Sequence, residues 1–216
     1  MVRRILLGCG ILSSPLYVAA DVVAARRYKG YSYRDQTVSE LLAEGAPTRP
    51  LMVALVGIPY NVLVAALAAG VWASAGSKRA ARITAALLGG YAAASTAGGM
   101  LFPMTPRGTK GARHNVMHIP ATAVQSLFLL LSMGSGATLL GKRFRNYSYG
   151  TILTLLGFGA LTSLQGPGIA RNQSTPWAGI EERINIYATM LWLAVLAGAL
   201  WRQGTVVQDK EVTRST

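Results

Sequence analysis

Long stretches of the chain carry no charge, and their length matches the thickness of a lipid bilayer. Residues 51–77 and 83–105 contain no charged side chain, and Asp21 is the one charge within residues 5–25. Crossing the hydrocarbon layer takes about 20 apolar residues, and only a helix satisfies its own backbone hydrogen bonds there. These stretches therefore predict membrane-spanning helices and exclude a water-soluble globular domain.

The composition supports the same interpretation. The 216 residues are 51% hydrophobic and 13% charged, and this charged share is about half that of a typical soluble domain. A formal net charge of +13 favours nucleic-acid binding in a soluble chain. Here the basic residues lie in short clusters between apolar stretches, as loop charges of membrane proteins do, and they form no aromatic-rich basic face. We therefore expect no nucleic-acid partner.

Division of the chain at its charge clusters predicts six transmembrane helices. The apolar segments cover roughly residues 5–25, 51–73, 83–102, 116–140, 149–165 and 184–200. The predicted fold is therefore an all-α polytopic membrane protein, with residues 1–204 as a six-helix transmembrane domain and residues 205–216 as a polar C-terminal tail. On the third segment small residues recur at every fourth position, at Ala86, Gly90, Ala94 and Gly98. This spacing allows a second helix to approach closely.

Loop length decides the predicted orientation, because Lys and Arg are almost equally numerous on the two sides. The clusters at Lys78 and Lys142 lie in short loops without acidic residues, and Arg3 and Arg4 directly flank the first helix. The positive-inside preference acts most strongly at such positions. We therefore predict a plasma-membrane protein with both termini in the cytoplasm. Most of the acidic residues and both histidines then lie on the outer side, where we expect any functional site.

The first outer loop contains the sequence pattern of a short helix. Thr37 and Glu40 form a capping box, and Gly45 with Pro47 ends the helix after about two turns. We expect this helix to lie at the outer membrane interface. One interpretation is a lid packed over the bundle, in which the Glu40 carboxylate serves its own cap. The other interpretation is a pocket lined by Tyr31, Ser32, Ser39 and Glu40.

The second outer loop holds both histidines of the chain, His114 and His118. A spacing of four residues places two imidazoles on one face of a helix, which suits a divalent metal such as zinc if outer carboxylates complete the site. A structural zinc site normally has four protein ligands, and no cysteine is placed to join these two. The alternative is that His114 is solvated and His118 forms a hydrogen bond with a neighbouring helix or loop.

A helix-start signal precedes the last apolar segment. Thr175 is placed to cap a helix whose first residue is Pro176, and proline is well suited to that position. Trp177 fits the aromatic belt at a membrane interface. The pattern therefore predicts that the last helix begins at Pro176.

Charged residues occupy the first two turns of that helix. Glu181 and Glu182 are stabilised near a helix start by the helix dipole, which is a purely structural explanation for them. Arg183 lies at the membrane boundary, where an unpaired charge is costly. It therefore requires a carboxylate partner, and the candidates are Glu40 and Asp21.

Taken together, these motifs resemble an uncharacterised family of bacterial and archaeal six-helix membrane proteins, domain of unknown function nine-nine-eight. The matching features are Gly30-Tyr31-Ser32, Ser39-Glu40-Leu41, Gly45-Ala46-Pro47, Phe102-Pro103, His118 and Glu182-Arg183. The likeness covers nearly the whole chain. The resemblance implies the fold and the topology, and it implies no activity.

The functional hypothesis follows from the clustering of polar residues on the outer side. We expect an outward-facing pocket that binds a lipid or a small amphipathic ligand, or that contacts a second membrane protein, without a cofactor. The expected ligand-binding residues are Tyr31, Ser32, Ser39, Glu40, His118, Glu182 and Arg183. The alternative is a metal-dependent intramembrane hydrolase of lipid amides or esters, in which His114 and His118 hold zinc. Whether the protein is an enzyme stays open at this point.

Overall fold

The computed structural model describes residues 1–109 and 113–215, and it describes side chains for residues 1–109 and 117–203. This part of the chain is helical and contains no strand. The helices are α1 (Val2–Arg27), α2 (Val38–Leu41), α3 (Arg49–Met52), a π-helical segment (Val53–Tyr60), α4 (Asn61–Ala73), α5 (Arg79–Leu101), α6 (Arg113–Gly136), α7 (Lys142–Leu164), α8 (Gly166–Ala170) and α9 (Ala178–Ser215).

Five helical stretches among the described residues are long and apolar enough to cross a membrane. They are Val2–Arg27, Arg49–Ala73, Met117–Gly136, Lys142–Ala170 and Ala178–Gln203. The prediction of an all-α, polytopic membrane protein is therefore confirmed. Helix α5 is not among the five, because it is rich in alanine and glycine, so six crossings stay a prediction.

Helix α5 nevertheless packs along α6 over most of its length. Near its start, Thr84 Oγ1 lies 2.9 Å from Ser135 Oγ of α6. Near its end, a Cβ atom at Gly98 would lie 3.3 Å from the side chain of Ala121. The face of small residues identified in the sequence thus contacts a second helix, as predicted. A helix of 23 residues is about 35 Å long, which is enough to cross a bilayer.

The π-helical segment accommodates a proline within the second spanning stretch. Pro59 has no backbone N–H, so the regular α-helical hydrogen-bond pattern is interrupted there. The Asn61 side chain adds hydrogen bonds to this segment, because its Nδ2 donates to the carbonyl oxygens of Val56 at 3.3 Å and Gly57 at 3.0 Å. The chain thus stays helical through the buried Tyr60, whose hydroxyl lies 3.0 Å from that of Tyr91 on α5.

Three connections meet at one end of the bundle, which we call the loop end. They are the α1–α3, α5–α6 and α7–α9 connections. Backbone hydrogen bonds join the first two through Glu44 N and Met104 O, and the last two through Gly108 N and Ile169 O. The N–H of Ile180 at the start of α9 donates to Arg34 O in the first connection. The loops predicted to lie on one side therefore do share one end.

The opposite end, which we call the basic end, gathers the start of α1, the α4–α5 and α6–α7 connections and the far part of α9. The Arg4 guanidinium lies 5.6 Å from the centroid of the Trp201 ring, which places α1 beside α9 here. Described basic side chains at this end are Arg3, Arg4, Lys78, Arg79, Arg82, Lys142, Arg143, Arg145 and Arg202. No acidic side chain is described among them.

Helix α9 is central and α7 is peripheral. Trp192 of α9 is fully buried against Phe144, and its Nε1 donates to Ser148 Oγ at 2.9 Å. In α7 only four of the 23 residues are buried, and they are Phe144, Ser148, Thr151 and Leu155. Helix α7 therefore exposes most of its surface to the surrounding bilayer. The backbone of α9 continues as a helix to Ser215, through the segment predicted as a polar tail.

Candidate functional site

Arg183 and Asp21 form a buried ion pair between the last and the first long helix. Arg183 Nε donates to Asp21 Oδ2 at 2.9 Å, and Nη2 donates to Oδ1 at 2.8 Å. The exposed fractions of the two side chains are 3% and 0%. This two-point geometry suits a planar guanidinium and a carboxylate. The predicted need of Arg183 for a carboxylate is confirmed, and Asp21 is the partner.

The remaining donors of Arg183 organise the first connection. Nη1 donates to Tyr33 O at 2.7 Å, with Gln36 O and Gly179 O also in reach at 3.2 and 3.1 Å. Nη2 donates to the Tyr31 hydroxyl at 2.9 Å. The guanidinium carbon also lies 3.6 Å from the centroid of the Tyr33 ring, a cation–π contact. One side chain thus fixes the path of the loop over α9.

Two tyrosines complete the surroundings of Asp21, and sequence analysis identified neither as a partner. Tyr187 OH donates to Asp21 Oδ2 at 2.5 Å, and its oxygen lies 2.9 Å from Tyr33 OH. Tyr187 follows Arg183 by four residues on α9, so both side chains project from one face. This four-residue spacing is the sequence signal by which Tyr187 could have been identified. The negative charge of Asp21 is therefore stabilised by the Arg183 guanidinium and by a hydrogen bond from the Tyr187 hydroxyl.

Glu182 binds the first turn of α2 from outside that helix. Ser39 Oγ donates to Glu182 Oε1 at 2.7 Å, and the backbone N–H groups of Val38 and Ser39 point to Oε2. Free N–H groups at a helix start favour an anion. The predicted site residues Ser39 and Glu182 therefore meet directly, as the two halves of one contact between α2 and α9.

Glu40 forms the predicted capping box and also an ion pair that was not predicted. Its Oε2 accepts from Thr37 N at 2.8 Å. Arg107 Nε donates to Glu40 Oε1 at 2.5 Å and Nη2 donates to Oε2 at 3.1 Å. Arg107 also donates to Thr175 Oγ1 at 2.7 Å and to Gln173 O at 3.0 Å. This arginine thus joins all three connections of the loop end.

Two predicted helix limits are wrong. Helix α2 has four residues, one turn instead of two, and its Val38 and Leu41 side chains are buried. It is therefore packed into the bundle end. Helix α9 begins at Ala178, because Trp177 has a φ angle of 70°, which no α-helix contains. The Thr175 hydroxyl does not cap α9 and donates to Asp35 O at 2.9 Å instead.

A close approach of backbones requires glycine at position 179. A Cβ atom there would lie 2.5 Å from Tyr33 O and would also collide with Gln36 O. Both atoms belong to the backbone, so neither moves easily. The first connection thus lies directly against the first turn of α9, and the loop end is closely packed.

Ser32 and Asp35 form a local turn in the first connection. Ser32 Oγ donates to Asp35 Oδ2 at 3.0 Å, and Arg34 Nε donates to Oδ1 at 2.8 Å. The hydrogen bond from Arg34, followed by that from the Trp177 N–H, lowers the pKa of Asp35 to about 2. Nearby, burial raises the pKa of the Tyr31 hydroxyl well above its usual value, although the Arg183 charge opposes this. Ser32 thus supports the loop itself.

His118 belongs to no cluster of metal-ligating side chains among the described residues. His118 is half-buried, and its Nδ1 lies 2.9 Å from Phe102 O at the end of α5. This contact is the predicted hydrogen bond to a neighbouring segment. The His114 side chain lies outside the described residues. In the described part of the chain no three His, Cys, Asp or Glu side chains are grouped to hold an ion, and the zinc prediction stays untested.

The paired groups at the loop end form what we call the latch, defined by Asp21–Arg183, Glu182–Ser39 and Glu40–Arg107. Each carboxylate of the latch accepts hydrogen bonds from a defined donor of another connection or helix. Five of the predicted site residues, Tyr31, Ser39, Glu40, Glu182 and Arg183, belong to it or touch it. Groups engaged in this way hold the connections together, and in the contact from Ser39 to Glu182 the carboxylate also accepts from two backbone N–H groups of α2.

A second location offers open space, in a groove between α7 and α9. The cavity volume is about 370 Å³. The lining residues are Tyr147, Gly150, Thr151, Thr154, Ala188 and Leu191. Hydrogen bonds flank it, from Asn185 Nδ2 to Leu155 O at 2.9 Å towards the loop end and from Trp192 Nε1 to Ser148 Oγ towards the basic end. Gly150 and Leu191 are exposed, so the groove opens sideways.

The fold and the latch define the class of this molecule, a multi-pass all-α membrane protein closed at one end by ion pairs. Within that class, the family model described as Protein of unknown function (DUF998) matches residues 11–199. The chain therefore belongs to this family, as the sequence motifs indicated. No curated protein and no solved structure matches the chain.

Proposed function

We propose that this protein is a non-catalytic membrane protein that binds a membrane lipid or a small amphipathic ligand. The groove between α7 and α9 carries the proposal. It combines apolar surface from Ala188 and Leu191 with hydroxyl groups from Tyr147, Thr151 and Thr154. Binding sites for small amphipathic molecules have this composition, mostly apolar with a few placed polar groups. A groove between membrane-spanning helices takes its ligand from the bilayer.

The latch supports this proposal indirectly. A ligand in the predicted outward-facing pocket would have to replace hydrogen bonds that Glu40, Glu182 and Arg183 already make. Burying those groups without their partners costs about 1–3 kcal/mol each, and more where they are charged. The latch is therefore better suited to closing the bundle than to exchanging ligands. The pocket around Tyr31, Ser32 and His118 stays a prediction.

Charge distribution supports a cytoplasmic basic end in the plasma membrane. At the loop end, Arg34, Arg107 and Arg183 form ion pairs with carboxylates. The basic side chains described at the other end have no acidic neighbour among them. The positive-inside rule places such uncompensated short-loop charges in the cytoplasm. Both the start of α1 and the far part of α9 then lie on the cytoplasmic side.

Lipid extraction and native mass spectrometry of the full chain test the proposal. The expected result is a co-purifying lipid or amphiphile, together with a thermal unfolding temperature that rises as that compound is added. A delipidated protein that binds no added lipid and shows an unchanged unfolding temperature would contradict it.

Two further candidates have separate tests. Contact with a second membrane protein would use the exposed surface of α7, and chemical cross-linking in native membranes would detect it. A zinc-dependent hydrolase using His114 and His118 gains no support from the described contacts. Elemental analysis of protein purified without chelator decides that alternative, because less than one zinc per chain removes it.

A further inference from the structure

The basic residue Arg143 lies on the same face of α7 as three residues that line the groove. Arg143, Tyr147, Gly150 and Thr154 are separated by four, three and four residues, which places them in one stripe along a helix. The last three line the groove. Arg143 is exposed and lies one turn closer to the basic end. A cation therefore lies one helical turn beyond the lining of the groove, on the side of the basic end.

The hydroxyl of Tyr147 is a buried donor that lacks a partner among the described residues. Other hydroxyls of the groove are satisfied, because Thr151 Oγ1 donates to Tyr147 O and Thr154 Oγ1 donates to Gly150 O, both at 3.0 Å. A buried hydroxyl without a partner costs free energy. An acceptor oxygen from a molecule in the groove would remove that cost.

The basic residues in the first turn of α7 favour an acceptor group that carries a negative charge. The first turn of α7 carries Lys142, Arg143 and Arg145, all exposed, and no acidic residue. Its N-cap is Gly141, which provides no side-chain cap. A helix start already attracts anions, and three cations there strengthen the effect. The site thus favours an anionic group and repels a quaternary ammonium.

The spacing of Arg143 and Gly150 along α7 suits a phospholipid. Gly150 follows Arg143 by seven residues, which is about 10 Å along a helix. A phosphate beside Arg143 at the membrane boundary would therefore leave an acyl chain to follow Gly150 and the exposed Leu191 into the hydrocarbon layer. Space for it exists, because a Cβ atom at Gly150 would meet no other atom within 4 Å.

From these observations we infer that the groove selects an anionic phospholipid from the leaflet at the basic end. Its phosphate lies between the Arg143 guanidinium and the Tyr147 hydroxyl, and one acyl chain lies along Gly150, Thr154 and Leu191. The inference rests on the proposed function, because it names the lipid class and the orientation that the groove accepts.

The first experiment compares two lipids on the full chain. Delipidated protein in detergent is titrated with dioleoyl-phosphatidylglycerol and with dioleoyl-phosphatidylcholine and followed by native mass spectrometry. Each basic residue near a membrane surface contributes about 1 kcal/mol towards anionic lipid, which is about a fivefold preference. We expect phosphatidylglycerol to bind at least fivefold more tightly, and Arg143→Gln to reduce that ratio severalfold.

The matched control is Arg145→Gln, which removes the same charge from the same turn outside the stripe. It should keep most of the preference. Tyr147→Phe removes the hydroxyl without changing the shape of the side chain, and it should weaken phosphatidylglycerol binding severalfold without lowering the unfolding temperature of the lipid-free protein.

Blocking the groove tests the location. Gly150→Leu fills it without a clash and should abolish binding of both lipids. Gly157→Leu is its control, because this glycine lies two turns further along α7 and also has open space around it. That variant should bind both lipids normally.

The outcomes separate the inference from the proposed function. If both lipids bind equally and Gly150→Leu blocks both, lipid binding stands and the selectivity inference is overturned. If neither lipid binds, both proposals fail. If phosphatidylglycerol binds equally to all groove variants, or if the lipid-free protein dimerises through α7, the inferred site is wrong.

Discussion

The two ends of the bundle differ in how many of their arginines are paired with carboxylates. At the loop end Arg107 and Arg183 are paired with carboxylates and donate several of the hydrogen bonds that hold the connections in place. At the basic end Arg143 and Arg145 are exposed, with no acidic residue in their turn. Paired, buried charges fix the positions of the groups around them, whereas free surface charges act on molecules outside the protein. The ion pairs that close the bundle thus lie at one end, and the exposed cations that can attract anionic molecules lie at the other end.

The largest effect should come from removing the cation of the buried pair. Arg183→Met leaves the Asp21 carboxylate at 0% exposure without its guanidinium, and breaking a buried pair costs about 3–5 kcal/mol. We expect a large fall in the unfolding temperature, measured by tryptophan fluorescence in detergent. Arg202→Met at the basic end is the control and should change stability by less than about 0.5 kcal/mol.

A double variant sharpens this result. Asp21→Asn combined with Arg183→Met removes both charges and should recover part of the lost stability. If the single Arg183 variant unfolds at the same temperature as the control, the contrast between the two ends is wrong.

The Glu40–Arg107 pair should have the next largest effect. Side-chain exposures are 5% and 16%, and hydrogen bonds to charged groups contribute about 1.5–3 kcal/mol. A double-mutant cycle of Glu40→Gln and Arg107→Gln should give a coupling free energy of about 1–2 kcal/mol in unfolding experiments. Strict additivity of the two single substitutions would show that the pair does not stabilise the loop end.

A methyl group at position 179 tests the close approach of backbones. Gly179→Ala collides with the carbonyl oxygens of Tyr33 and Gln36, and overpacking costs about 1–3 kcal/mol. Gly198→Ala on the same helix meets no atom within 4 Å and should be neutral or stabilising by about 0.5–1 kcal/mol. Equal unfolding temperatures for the two variants would contradict the close packing of the first connection on α9.

The smallest effect should be the pH dependence from Asp35. Its pKa is lowered to about 2 in the folded protein, against about 4 for a free aspartate. The carboxylate therefore stabilises the fold above pH 4, and this contribution is lost as the pH falls towards 2. The unfolding temperatures of the native protein and of Asp35→Asn should converge over that range. A constant difference between them would exclude a role for the ionised carboxylate.

Local patterns in the sequence predicted the features that depend on local physics. Charge-free stretches identified the long helices, since a bilayer demands apolar side chains over a fixed length. The Thr37–Glu40 capping box was found because it spans four residues. The need of Arg183 for a carboxylate followed from its place at a membrane boundary.

Long-range pairing escaped prediction because the sequence does not specify which loops meet. Arg107 and Glu40 are 67 residues apart, and several other arginines were equally suitable by type. Tyr33 and Tyr187 carry no charge, so no unpaired group pointed to them. The start of α9 was misplaced because the left-handed backbone of Trp177 has no signature in a tryptophan residue.

The ion pair between Asp21 and Arg183 has a consequence for how the protein is made. Its two members are 162 residues apart, and a ribosome needs on the order of ten seconds or more to synthesise that length. The first helix enters the translocon carrying an acid whose counterion has not yet been translated. A chain truncated before α9 lacks the guanidinium that pairs with Asp21 in the complete fold.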